Sequence, residues 1–222
     1  MNFELPEVNP NNCIFCKIVS GTSEAKWERS PDSSSAVACF HNRLKWVRVM
    51  LLVVPVLHTT QIEFWGSDIF AEAAQMAVEI GDINCSSEGY RLISNFGYQA
   101  HQSITHAHIH IISGESKTLQ TTMPKNSILE KDSFEYSEYD LDEIPFASKI
   151  SPTSHPSQRD MWRSSIIKST ATAALDLAKS KSPQGFRLIS TFSAASSSEQ
   201  TGANYGGIFV LGGGMLKLYA NS

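Results

Sequence analysis

The property of this chain that most restricts its fold is that it repeats itself. Trp65, Ser67 and Ile69, a helix-like stretch, and the block Gly89-Tyr-Arg-Leu-Ile-Ser-Asn-Phe96 return later in the same order. The second occurrence reads Trp162, Ser164 and Ile166, another helix-like stretch, and Gly185-Phe-Arg-Leu-Ile-Ser-Thr-Phe192. Six of the eight residues in the block are identical and the tryptophans stay in step, which predicts one structural unit built twice. Within each copy the helix shows as apolar periodicity. Ile69, Phe70, Ala73, Met76, Ala77 and Ile80 fall at helical spacing in the first, with Ser67 as a cap and Gly81 as a stop. Ile166, Thr170, Ala173, Ala174 and Leu177 form the matching stripe in the second. Residues 207–213 (GIFVLGG) then take the place of residues 108–114 (HIHIISG), so the second strand returns without its histidines.

Strands are predicted over 46–54, where Val47, Val49, Leu51 and Val53 share a face and Pro55 closes the run, and over 90–95 and 104–113, with a loop at 96–103. This mixture lacks the regular strand and helix alternation of a doubly wound fold. The expected class is α+β: an antiparallel sheet with a packed helix, followed by a degenerate second copy. The expected divisions are 1–114 for the unit with the histidines, 115–157 for an acidic connecting segment partly made of strands of the second unit, and 158–222 for the copy without histidines. The acidic residues of the connection, Glu130, Asp132, Glu135, Glu138, Asp140, Asp142 and Glu143, read as a solvated link or a charged edge hairpin.

With 222 residues, 41% of them hydrophobic and 18% charged, and a net charge of -4, the chain is globular rather than disordered. It has no basic stripe to follow a phosphodiester backbone, which argues against nucleic acid as a partner while leaving a small anion open. Residues 1–12 are polar and acidic, unlike a secretory leader. The most apolar run, 46–57, contains Arg48 and Pro55 and is short of the roughly 20 residues that cross a bilayer. A cytoplasmic protein with no membrane partner and reduced cysteines is therefore expected, and of its four cysteines only Cys13 and Cys16 have a suggestive spacing.

Three of the seven histidines are His106, His108 and His110, in the string Thr-His-Ala-His-Ile-His-Ile-Ile. On a strand, alternate side chains share a face, so Ala107, Ile109 and Ile111 go to the core and a row of three imidazoles lines the other surface. Two chemistries suit such a row. Imidazole is a nucleophile whose charge changes near neutral pH, and it is also a metal ligand to which Cys13 and Cys16 could add sulfur.

The string His106–Ile112 resembles the H-φ-H-φ-H-φ-φ signature of the histidine-triad (HIT) superfamily of nucleotide hydrolases and transferases. Residues 13–21 resemble the family's opening, Leu52-Val-Val-Pro-Val-Leu-His58 its strand with a Pro-x-x-His turn, and Asn95 with Gln102-Ser103 its loop before the triad. The likeness covers 12–114 and is nearest the nucleoside phosphoramidase branch. It implies a hydrolase that cleaves a nucleoside phosphoramidate or related nucleotide at the α-phosphate, with His108 as the nucleophile forming a nucleotidyl-histidine. His110 would bond the phosphoryl oxygens, and His106 would set the tautomer of His108 through a hydrogen-bonded relay. Ser103 would assist the leaving group; Asn95, Gln102 and Asn42 would bind substrate. No cofactor is required on this reading, and a structural zinc on Cys13, Cys16 and His106 lacks an obvious fourth ligand. A nucleotidyltransferase, a dinucleoside polyphosphate hydrolase, or a nucleotide-binding protein of weak activity are the alternatives. The repeat suggests a pseudo-dimer within one chain, or else a homodimer.

Three positions depart from the family pattern. Met50 stands where a further histidine is common, implying a shortened relay or a lost zinc. Asn42 stands where an aspartate commonly holds ribose. His101 replaces a glycine, which puts bulk at the phosphate loop or offers a substitute base.

Overall fold

The structure is a computed structural model and describes residues 10–44, 46–114, 129–194 and 205–217. Its first half contains α1 (Ile14–Val19), β1 (Trp27–Arg29), β2 (Val37–His41), β3 (Val49–Pro55), α2 (Gln61–Trp65), α3 (Ile69–Cys85), β4 (Tyr90–Phe96) and β5 (Ile109–Ser113). The second half contains β6 (Leu129–Lys131), β7 (Phe134–Glu138), β8 (Phe146–Pro152), α4 (Gln158–Arg163), α5 (Ile166–Lys181), β9 (Phe186–Phe192) and β10 (Ile208–Gly212). All ten strands join one sheet in the order β1-β2-β3-β5-β4-β9-β10-β8-β7-β6. Read inward from either edge, the two halves have the same topology. The repeat in the sequence is a repeat of the fold.

The halves meet where β4 pairs antiparallel with β9, and the register places Ile93 opposite Ile189, its own equivalent in the other copy. A pseudo-two-fold axis therefore passes through that pair. Around it Tyr90 stacks on Phe192 at 4.5 Å and Phe96 on Phe186 at 4.4 Å, two contacts related by the axis. Trp65 and Trp162 approach edge to face at 6.2 Å on the helix side, and each donates its indole N–H to a serine of its own half, Ser94 or Ser190. Asp82 of α3 accepts bonds from Arg159 and Arg163 of α4, so helices as well as strands cross the join.

One apolar core runs under both halves, from Leu51 and Ile109 through Leu92 and Leu188 to Val210. Ile189 is buried in a second apolar cluster with Ile93 and Ile112, and replacing it by aspartate is expected to destabilise the chain by about 3–5 kcal/mol, because a carboxylate there has no partner to replace water. Thermal melting should show both halves unfolding together; loss of the second half alone would mean that they are separable units.

Three expectations need adjusting, and a fourth, an edge hairpin and strands of the second unit within the acidic connection, corresponds to what the structure holds there. The predicted stop at Gly81 is passed, and α3 continues to Cys85. Gly81 is there for packing, since a Cβ would lie 2.4 Å from the Tyr90 ring. The strand predicted over 46–54 begins at Val49 and runs through Pro55. The strand predicted over 104–113 begins only at Ile109, because residues before it leave the sheet to bond Thr59, Thr60 and Gln61. Finally, β6 and β7 form an edge hairpin through Asp132 and Ser133, both at positive φ as a tight two-residue turn requires. With β8 they fill the places that β1 to β3 hold in the first half. The second copy thus includes strands before residue 158 and one histidine, His155, which follows Pro152 as His58 follows Pro55. Residues 115–128 of the acidic connection lie outside the described residues.

Candidate active site

Thr60 caps α2 with a reciprocal box, its hydroxyl accepting the Glu63 N–H while the Glu63 carboxylate accepts the Thr60 N–H. The first residue of the helix so fixed is Gln61. Its buried amide grips the main chain of His108 twice: Oε1 accepts the His108 N–H and Nε2 donates to the His108 carbonyl, each at 2.8 Å. Ser94 donates to the same carbonyl at 3.1 Å. The backbone that carries the central histidine is thereby held by side chains from α2 and β4 where it is not yet part of the strand. Sequence reasoning missed Gln61, although its recurrence as Gln158, at the same distance before the second tryptophan, was a usable signal.

The His108 ring donates from Nδ1 to the carbonyl of His106 at 2.9 Å. That bond fixes the tautomer and leaves Nε2 with the lone pair. Burial holds His108 below the usual imidazole range, so the ring is neutral at physiological pH. The His110 ring stands beside it, centroids 4.8 Å apart and nearly perpendicular, and burial, with His108 and Arg187 adding to it, holds His110 well below the usual range. Phe15 of α1 meets His108 edge-on at 5.4 Å. Both histidines line a cleft of about 1500 Å³ on the face of the sheet away from α3.

His106 does something else. Its backbone carbonyl, rather than its ring, makes the link to His108. The ring is fully buried and turned away from the row. Its Nε2 donates to the Pro55 carbonyl at 2.9 Å, leaving the Nδ1 lone pair toward Cys16 Sγ at 3.4 Å and Cys13 Sγ at 3.6 Å. His58 Nδ1 lies 3.2 Å from Cys16 Sγ. The four donor atoms of Cys13, Cys16, His58 and His106 fall within 4.8 Å of one another, supplying the fourth ligand that the sequence reading lacked. Zinc bonds of about 2.0–2.3 Å make tetrahedral edges of about 3.3–3.8 Å, close to these separations. The Pro55 bond is the outer-shell contact that orients a ligating histidine. Burial pushes His106 down to about 4, keeping it in the neutral form that a metal needs, while burial and the neighbouring Cys13 push the Cys16 thiol up to about 11. The donor set fits zinc, which would join α1 to the Pro-x-x-His turn and the segment before β5. Met50 has no part in this group; it is buried against Ile93 and Ile112, so its departure from the family pattern leaves all four donors in place.

The remaining expected residues gather around the cleft in different ways. Asn95, Ser103, Gln102, Asn42 and His101 all line it, and Ser103 is exposed there. Gln102 spends both ends of its amide on the loop itself, accepting from Gly97 N–H at 2.9 Å and donating to Ile104 carbonyl at 3.0 Å. It braces the loop from the wall of the cleft. Asn42 Oδ1 accepts the Leu44 N–H at 3.0 Å, closing the turn after β2. His101 sits at φ 58, the left-handed conformation in which a glycine costs least, and its Nε2 donates to the carbonyl of Leu216. Since Leu216 N–H also bonds the Gln99 carbonyl at 2.8 Å, the second copy reaches back and holds the loop of the first.

The corresponding place in the second copy is built the same way and filled. Gln158 grips Gly207 with the same pair of bonds, at 2.8 and 3.0 Å, which makes Gly207 the counterpart of His108. A Cβ at Gly207 would stand 2.5 Å from Lys149 Cε and 2.8 Å from the Ile150 carbonyl. No imidazole fits, and Phe209 stands where His110 does.

The HIT domain family model matches residues 33–117, the stretch that holds β2 to β5 and the three histidines. Residues 33–117 are a HIT domain. A 13.2 kDa HIT-like protein of Azospirillum brasilense is 29% identical over 111 residues, covering 48% of this chain and 88% of that protein. A HIT-like protein of Methanocaldococcus jannaschii is 29% identical over 125 residues, covering 54% of this chain and 94% of the relative. Both relatives thus span about half of the chain. The structure of a GalT-like protein from Arabidopsis thaliana is similar over 93% of this chain and 82% of its own, with a TM-score of 0.63 at 12% identity. That is a likeness of fold, and it takes in the second copy together with the HIT domain. Among the described residues no helix is long and apolar enough to cross a membrane.

Proposed function

We propose that the chain is a nucleotide hydrolase of the histidine-triad type, cleaving a nucleoside phosphoramidate or related nucleotide through a nucleotidyl group carried on His108. The observation that carries this reading is the bond from His108 Nδ1 to the His106 carbonyl at 2.9 Å. It leaves the Nε2 lone pair as the nucleophile beside a cleft large enough for a nucleotide. In the first step Nε2 bonds to the α-phosphorus, the bond from phosphorus to the leaving nitrogen or oxygen breaks, and the leaving group takes a proton, with the Ser103 hydroxyl at hand to pass it. The nucleotidyl-imidazole so formed keeps its Nδ1 proton, and the positive charge it gains lies against a carbonyl oxygen already in place. His110 and the Asn95 amide would bond the phosphoryl oxygens. Water then attacks phosphorus and gives up a proton to solvent, the bond from phosphorus to Nε2 breaks, and His108 leaves as neutral imidazole, two easier steps replacing one.

Incubation with adenosine 5′-phosphoramidate is the direct test. Release of ammonia and AMP at equal rates, with acid-labile label on the protein during turnover, is the expected result. Binding of the nucleotide with neither release nor label would leave a binding protein instead. Transfer of the nucleotidyl group to an added phosphate ester in preference to water would favour a nucleotidyltransferase.

A further inference from the structure

Arg187 belongs to the second copy, yet it serves the first. It lies on β9 directly opposite Asn95 of β4, is 1% exposed, and donates from Nε to Asn95 Oδ1 at 2.7 Å. A guanidinium has donors only, so this contact determines which end of the amide faces it. The oxygen is committed to the arginine, and the N–H donors are what Asn95 has left to offer to the cleft it lines with His108 and His110. We propose that Arg187 is a positioning residue for the site across the join, holding the Asn95 amide so that its N–H groups meet the phosphoryl oxygens of a bound nucleotide.

The pseudo-symmetry supports this assignment. Arg91 of the first copy is the equivalent of Arg187 and faces Thr191, the equivalent of Asn95. Thr191 is exposed and has no amide, and the second copy's own cleft is filled at Gly207. Taking a charged guanidinium out of water is costly unless well-placed partners repay it. Arg187 gives one of its hydrogen bonds to Asn95, a residue of the intact site in the other half. Its charge also bears on His110, after burial and His108 in order of effect. On this account residues 33–117 hold the chemistry, but the site is complete only with the second copy present.

The inference rests on the phosphate-binding part of the proposed function, and its test reads binding so that it can be judged apart from turnover. In the full chain, Arg187→Lys keeps the buried charge but loses the planar fork that holds an amide. AMP affinity is expected to fall about tenfold, the worth of one charge-assisted hydrogen bond, while adenosine binds as in the wild type. Asn95→Ala should weaken AMP by a similar factor, and the double variant should be no weaker than Asn95→Ala alone. If Arg187→Lys does not fold, Asn95→Asp keeps an ion pair with the arginine and removes the donors, and should likewise lose AMP but not adenosine. Unchanged AMP affinity, equal loss of AMP and adenosine, multiplying effects in the double variant, or a wild type that gains nothing from the phosphate would each overturn the assignment. A wild type that binds AMP with the expected variant pattern but turns nothing over would remove the hydrolase reading and leave this one standing.

Discussion

His108→Gly is expected to fold normally and to lose turnover by at least about 10⁴-fold, the scale seen when a covalent nucleophile is removed. The fold should survive because the chain already contains the same exchange: Gly207 occupies the equivalent point, under the same amide grip from Gln158. Gln61 and Ser94 hold the main chain of residue 108 and not its imidazole. A radiolabelled nucleotide quenched during turnover should mark one residue in the wild type and none in the variant. Because the missing ring opens directly onto the cleft, added imidazole should restore part of the rate. A variant that still became labelled would move the nucleophile elsewhere.

The second large effect concerns metal. Zinc at about one atom per chain is expected on purification, with Cys16→Ser abolishing it. The thiol of Cys16 approaches both imidazoles, at 3.2 and 3.4 Å, so its loss removes the corner at which both of these edges meet. Metal bound only by the folded chain stabilises it. Its removal should cost about 3 kcal/mol, or a fall in melting temperature of about 10 °C in a chain of this size. Turnover should fall too, by about tenfold, since the segment that the metal would hold through the His106 ring also supplies the carbonyl that orients His108. A chain equally stable with and without a chelator, and free of zinc when prepared without one, would make the four residues a hydrogen-bonded cluster only.

How far the sequence discloses this arrangement depends on whether the information is local. The repeat was readable because Arg-Leu-Ile-Ser recurs with its flanking tryptophan, and two similarly built units of one chain have few ways to pair other than across a pseudo-two-fold. The alternation of Ile109 and Ile111 against His110 was readable because a strand has period two, and Ala107 and His108 keep to it although they precede the strand. His106 was misread for the same reason: period two holds only inside a strand, and β5 starts at Ile109. Gly81 misled because a glycine can mark a helix end or a close approach, and only the distant Tyr90 ring distinguishes them. His58 and Gln61 come from a turn and a short helix far along the chain from Cys16 and His108. Their roles are set by tertiary placement, which spacing does not encode. Arg187 is more remote still, since nothing near it in sequence belongs to the site it faces.

The antiparallel join of β4 and β9 has a further implication for inheritance. Where two separate subunits face each other across a two-fold, every substitution arises twice, once on each side, and a change that helps one side while harming the other cannot be kept. In a single fused chain each change falls once. Lys149 and Phe209 could occupy one hollow while His108 and His110 stayed in the other, and Leu216 could lengthen its reach toward His101 with no mirrored cost. With His108 and His110 in one half only, the proposed reaction predicts one nucleotide bound per chain and simple saturation, which a binding titration would read.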